Sequence, residues 1–194
     1  DNDGDLDLYI VNGGNSSGID RLFRNEGADR FSNVGAELRV GDTGRGSAAA
    51  WADVDIDGDL DLYVVNSGQP NRLYENLSEG RWLGLKLNGP AGGVGARVYA
   101  NLTGGKTILR ELAGGSGYLS QGQSGLTIGM GSTSALDSIV IRWSNGARQI
   151  VREVRPGAGY QEVKWVPLPH FVTVPRNYDE EINFDLPRFK WKKS

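Results

Sequence analysis

Five aspartates occupy alternate positions of one nine-residue stretch, Asp53-Val54-Asp55-Ile56-Asp57-Gly58-Asp59-Leu60-Asp61. Like charges this close repel, so neither a strand nor a helix gains from the pattern. A divalent cation removes the conflict. Calcium takes about six to eight oxygen ligands, and a short acidic loop with a central glycine can supply most of them. On this reading Asp53, Asp55, Asp57 and Asp61 give side-chain oxygens, Asp59 gives its backbone carbonyl, and Gly58 permits the sharp turn. The plain alternative is a solvated acidic turn. An EF-hand would need a Glu at the twelfth position and a helix on each side. The twelfth position here is Val64, and Leu62-Tyr63-Val64-Val65-Asn66 reads as a strand. The loop feeds a strand and is closed by Asp61.

A second copy opens the chain. Asp1-Asn2-Asp3-Gly4-Asp5-Leu6-Asp7-Leu8-Tyr9 aligns with Asp55 to Tyr63 at an offset of 54. Asp1, Asp3, Asp5 and Asp7 are its candidate metal ligands. The counterpart of Asp53 would precede Asp1, so the chain reads as a fragment cut inside a metal loop, or as one whose missing oxygen comes from another segment. Downstream, Asn71 to Asn76 repeats Asp20 to Asn25 at an offset of 51. The first copy therefore has a hairpin loop three residues longer. A repeat of about fifty residues built of short strands suggests propeller blades. A propeller needs roughly four to eight blades, more than this chain holds.

The turn chemistry fits an all-β chain, with 29 glycines, many beside Asn, Asp or Ser. Strands are expected at Leu6 to Asn12, Asp20 to Asn25, from Arg30-Phe31, and at Leu60 to Asn66 and Asn71 to Asn76, with Ser47 to Trp51 leading into the second acidic loop. From Trp82 the acidic motif stops. Trp82 to Leu87 alternates, Ala96 to Asn101 and Lys106 to Leu112 form a hairpin, and Leu126 to Gly131 is a further strand. Asp137 to Trp143 and Arg148 to Val154 flank Asn145-Gly146, a strong hairpin signal, and Gln161 to Val166 closes the sheet. The expected organisation is two calcium-binding repeats over 1–80, a small β-sandwich-like domain over 81–165, and a proline-rich extended tail over 166–194. That tail, ending Arg188-Phe189-Lys190-Trp191-Lys192-Lys193, reads as disordered or as an arm that adds a strand to a neighbour.

The two acidic loops, the Leu-Phe/Tyr-x-Asn strands and Ala50-Trp51-Ala52-Asp53 resemble the FG-GAP-like (VCBS) repeats of integrin-α-type β-propellers. That resemblance implies calcium held between blade strands, with the second loop complete and the first lacking its opening acid. Residues 82–163 resemble the ASPIC/UnbV domain. The stretches that carry it are Val94-Gly95-Ala96-Arg97-Val98, Arg110-Glu111-Leu112, Gly114 to Gln121, Ile128-Gly129-Met130-Gly131 and Ile141 to Gly146. The pairing implies an extracellular, calcium-binding, non-enzymatic module and names no ligand.

Other chemical readings each lack a required residue. Gly104-Gly105-Lys106-Thr107 lacks the upstream glycine of a phosphate loop, where Ala100 stands, and is better read as a hairpin turn. Ser116 and Ser120 lie in a glycine-rich loop, but the single histidine, His170, sits between prolines, and no nucleophile elbow exists. Glu111 beside Arg110 reads as an ion pair. No catalytic residue is expected. Cysteine is absent, which excludes disulfides and thiolate metal sites. A net charge of −3 gives no reason to expect nucleic acid, and no apolar run is long enough for a membrane span. Sequons at Asn15, Asn76 and Asn101 fit a secreted surface. The function expected is a secreted, calcium-stabilised structural or adhesion module with a protein or glycan partner at the cell surface or matrix. The alternatives are a subunit of an extracellular filament joined by its tail, and a carbohydrate-binding module using exposed aromatics such as Tyr118 and Trp143.

Overall fold

The computed structural model describes residues 1–13, 18–152 and 154–167. The proposed tail arm, His170 and the Asn15 sequon lie outside them. Within them the chain is all-β, with one 3-10 turn at Pro90–Gly93. The strands are β1 (Leu8–Ile10), β2 (Arg21–Asn25), β3 (Phe31–Asn33), β4 (Gly46–Ala52), β5 (Asp61–Asn66), β6 (Arg72–Tyr74), β7 (Arg81–Asn88), β8 (Arg97–Leu102), β9 (Thr107–Glu111), β10 (Leu126–Gly131), β11 (Leu136–Arg142), β12 (Arg148–Val151) and β13 (Tyr160–Lys164).

The repeats form two antiparallel three-stranded sheets, β1-β2-β3 and β4-β5-β6. Alternation sets their faces: Leu62 and Val64 of β5 are buried while Tyr63 between them is exposed. The described strands lie in open sheets and close neither a barrel nor a propeller. The first strand, Leu8–Ile10, is shorter than the expected Leu6 to Asn12, and the Asp7 carboxylate just before it accepts the Asn25 N–H at 2.8 Å. The offset of 51 that maps β2 onto β6 carries β3 onto 82–84, yet that stretch does not join β6. It belongs to β7, which pairs with β10 and β13.

The remaining strands make sheets β10-β7-β13 and β12-β11-β8-β9. Leu83, Leu85 and Leu87 of β7, Leu126, Ile128 and Met130 of β10 and Val163 of β13 meet Val98, Ala100 and Leu102 of β8 and Ile139 and Ile141 of β11 in one buried apolar cluster. The two expected hairpins are present, β8–β9 and β11–β12. The last strand differs from a simple closing hairpin: β13 runs parallel to β7, from Tyr160 opposite Gly84 to Lys164 opposite Asn88.

β7 is buried on both faces at its start. Leu83 faces the apolar core, while Trp82 and Gly84 face the other way, and both are buried. What covers them is the second acidic loop and Tyr160. A Cβ on Gly58 would lie 1.8 Å from the Trp82 ring, and the Trp82 and Tyr160 ring centroids are 5.7 Å apart. The acidic loop is thus seated on the sheet that follows it.

Candidate metal centre

The second loop connects β4 to β5, antiparallel neighbours paired from Gly46–Asn66 to Ala52–Asp61 with a register shift between Gly46 and Ala48. Its backbone folds on its own aspartates. The N–H of Asp59 donates to Asp57 Oδ1 at 3.1 Å and that of Asp57 to Asp55 Oδ1 at 3.4 Å. Ile56 (φ 65°) and Gly58 (φ 100°) turn the chain through the left-handed region. The first loop repeats the construction with Asn2 (φ 59°) and Gly4 (φ 92°), and with Asp5 N–H to Asp3 Oδ1 at 2.8 Å and Asp3 N–H to Asp1 Oδ1 at 3.3 Å.

This winding brings carboxylate oxygens of Asp53, Asp55 and Asp57 within 4.8 Å of one another. Asp53 is buried, and its Oδ1 has no hydrogen-bond partner. Asp59, expected to contribute only its backbone carbonyl, is 1% exposed. Its Oδ2 accepts the Ser78 N–H at 2.8 Å, and its Oδ1 has no hydrogen-bond partner. Burial, reinforced by Asp57 and then by Asp61 and Asp55, and opposed by the Ser78 N–H, pushes the Asp59 carboxyl up to about 6. Two buried carboxylate oxygens without donors, beside converging acids, are costly unless a cation meets them. Hard oxygen donors of this kind suit a divalent ion of the calcium class.

Asp61 has another task beside the loop. Its Oδ2 accepts the Val54 N–H at 2.8 Å and its Oδ1 accepts the Asn76 N–H at 2.9 Å, so it ties the loop's entry to the segment after β6. Asn76 completes the brace by donating to Leu60 O at 3.2 Å and accepting from the Ser78 N–H at 3.2 Å. In the first loop Asp7 and Asn25 repeat this brace: the Asn25 N–H donates to Asp7 Oδ1, its amide donates to Leu6 O at 3.4 Å, and its Oδ1 accepts the Gly27 N–H at 3.0 Å. The recurrence of Asn25 and Asn76 is visible in the sequence as a strand match, but their role as loop braces is not. The sequons at Asn76 and Asn101 therefore fall on structural asparagines; Asn101 bonds Ser138 and Thr107 across the sheet.

The first loop is met by cations from β9 and the turn before it. Lys106 donates to Asp3 O at 3.1 Å and Asp5 Oδ1 at 3.2 Å, and Arg110 donates to Gly4 O at 3.0 Å. Burial lowers the Arg110 pKa, and Asp5 and Asp3 act against it. The expected pairing of Glu111 with Arg110 is not found: consecutive strand residues face opposite ways, and Glu111 pairs with Arg97 at 2.8 Å. Of the two aromatics considered for sugar stacking, Trp143 is buried and donates to Gln149 Oε1, while Tyr118 is 81% exposed.

The chain joins two recognisable parts: residues 1–64 match the FG-GAP-like repeat family and residues 86–163 match the ASPIC and UnbV family. The chain is also similar to curated relatives that carry the name cartilage acidic protein 1. The chain is 31% identical over 163 residues to that of Xenopus tropicalis, covering 75% of the chain and 24% of the relative. It is 29% identical over 171 residues to that of Homo sapiens, covering 81% and 25%. The chain thus spans about a quarter of the length of the curated relatives it matches.

Proposed function

We propose that this chain is a calcium-stabilised, extracellular structural or adhesion module that carries out no catalysis. One observation bears most of the weight: two buried aspartate oxygens, on Asp53 and Asp59, lack any donor beside a convergence of three carboxylates. A bound calcium ion would be held by Asp53, Asp55 and Asp57, with Asp59 and Asp61 completing and bracing the loop. It supplies charge neutralisation, and the residues supply the turn. The first loop, with Asp1, Asp3, Asp5 and Asp7, is the second candidate site; the converging carboxylates are those of the second loop, and at the first loop the Lys106 ammonium already pairs with Asp5 Oδ1 and competes with an ion there. The name of the relatives, cartilage acidic protein, supports an extracellular setting and a protein or glycan partner in a matrix or at a cell surface. The repeat sheets belong to a propeller-type stack. Leu8, Ile10 and Phe31 stay exposed on the first sheet, as suits a face that packs on another such sheet. The division at about residue 80, before β7, separates the repeats from the second part.

The test is a thermal melt of the chain with calcium and with excess chelator. At free calcium ~100-fold above its dissociation constant, each site adds ~2.7 kcal/mol. A melting temperature that falls on chelation, and is restored by calcium but not by magnesium, supports the reading. Asp55→Asn combined with Asp57→Asn should abolish the part of the response that belongs to the second loop. An identical melt with and without calcium would leave the loops as acidic turns.

A further inference from the structure

The second acidic loop is gripped from outside the repeats. Gln123, in the segment before β10, donates its backbone N–H to Trp51 O at 3.2 Å and accepts the Asp53 N–H on its Oε1 at 3.0 Å. That contact fixes the orientation of the Gln123 amide, so its nitrogen faces Thr127 Oγ1 and the Tyr160 hydroxyl, each at 2.8 Å. Thr127 and Tyr160 are themselves 2.6 Å apart, and Tyr160 lies 3.2 Å from Asp53 Oδ2.

Counting protons gives this group a direction. The Gln123 amide has two, one for Thr127 and one for Tyr160. Thr127 accepts one of these and has one proton, which goes to the Tyr160 oxygen. Tyr160 then accepts twice, and its single proton goes to Asp53 Oδ2. Every donor is used, and the chain ends on the first carboxylate of the loop. The other oxygen of that carboxylate, Oδ1, is buried without a partner, and the Asp53 carboxylate is one of the three that converge with Asp55 and Asp57. Metal-ligating carboxylates are commonly oriented by such outer partners, whose loss weakens metal affinity by about 10- to 100-fold.

We propose that Tyr160 is a positioning residue for the cation site of the second loop, with Gln123 and Thr127 behind it, so that metal binding and the docking of the repeat on β10 and β13 are one coupled event. The proposal rests on the reading of this loop as a calcium site. Coupling of this kind is reciprocal: an ion that favours the held rotamer of Asp53 tightens the junction, and an intact junction tightens the ion. Among the described residues no tyrosine meets the first loop; Lys106 and Arg110 do, so the two loops should respond differently to the same change.

The experiment is calorimetric titration of calcium into the full chain and into Tyr160→Phe, with Asp55→Asn identifying which binding step belongs to the second loop. Phenylalanine keeps the ring beside Trp82 and removes only the hydroxyl. The expected result is a dissociation constant raised about tenfold or more for the step that Asp55→Asn removes, the other step unchanged, and a smaller calcium-induced rise in melting temperature. Thr127→Val, which removes the donor to Tyr160, should weaken the same step less, and it serves if Tyr160→Phe fails to fold. A merely structural tyrosine would lower the melting temperature equally in calcium and chelator and leave both steps unchanged, which overturns the proposal. An unaltered chain that takes up no calcium overturns the calcium reading itself, a different outcome from unchanged affinity in the variants.

Discussion

Asp20 is buried at 2% exposure, with Oδ1 accepting the Asn12 N–H at 2.7 Å and Oδ2 facing the Tyr9 hydroxyl at 3.1 Å. That hydroxyl is also 2.8 Å from Val40 O and has one proton for two acceptors. Tyr9 divides that proton between Asp20 and Val40 O, and protonating the carboxyl relieves the conflict. Burial holds the carboxyl above its ordinary range, with Asn12 and Tyr9 opposing and Asp42 adding to the rise. The second repeat solves the same problem without a titrating group: Asn71 accepts the Asn66 N–H at 3.0 Å and donates to the Tyr63 hydroxyl at 2.8 Å. Because the folded-state pKa is raised, the contribution of Asp20 is fully present below the unfolded carboxylate value, near ~3.9, and is lost as pH rises through the raised one. Asp20→Asn should therefore cost less than ~1 kcal/mol in acid and leave the chain more stable than the native one at pH ~8. Urea unfolding at both pH values decides this; equal destabilisation at the two would mean that folding leaves the Asp20 carboxyl unshifted. Gly58 is constrained twice, by a φ of 100° and by the Trp82 ring 1.8 Å from any Cβ. Gly58→Ala should destabilise by at least ~2 kcal/mol, seen as an earlier denaturant midpoint together with altered tryptophan fluorescence.

Most strands could be read from alternation and turn residues, and their bounds shift by only a few positions: Leu60 to Asn66 became Asp61–Asn66, and Leu126 to Gly131 matched outright. Alternation identifies a strand but not its neighbour. The counterpart of β3 accordingly joined the β10-β7-β13 sheet rather than β6, and the parallel register of β13 gave no local signal. The acidic loop was legible because charge at that spacing has few uses. The Gln123–Thr127–Tyr160 chain was not, since three common polar residues far apart in sequence carry no pattern until the fold joins them. The brace after β6 lies between these cases. Asn76→Ala removes the donor to Leu60 O and the acceptor for Ser78, so it should cost about 1–3 kcal/mol, with Asn25→Ala showing a matching loss in the first repeat. Chemical denaturation in calcium measures both; a loss confined to one of them would mean that the two braces are not equivalent.

The repeats and the later sheets are joined at several points. Gly131 N–H donates to Asn2 O at 2.7 Å, Asn2 reaches Gly58 O at 3.4 Å so that the two acidic loops touch, and Arg110 and Lys106 hold the first loop from below. Scanning calorimetry should show one cooperative transition for residues 1–167, displaced as a whole by chelation. Two separate peaks, only one of them calcium-dependent, would show that the junction is weak. The parallel pairing of β13 with β7 has a mechanical consequence. β7 follows directly from the repeats and β13 leads into the residues beyond 164, so opposite pulls on the two sides draw these adjacent strands past each other lengthwise. The evenly spaced bonds of a parallel ladder are then stretched together instead of being opened one at a time. Pulled from residue 81 and residue 164, this part should yield at a higher force than when pulled across the β11–β12 hairpin, a comparison that optical tweezers can make. A module tethered on one side and gripped on the other would resist tension best along the axis in which its own chain enters and leaves.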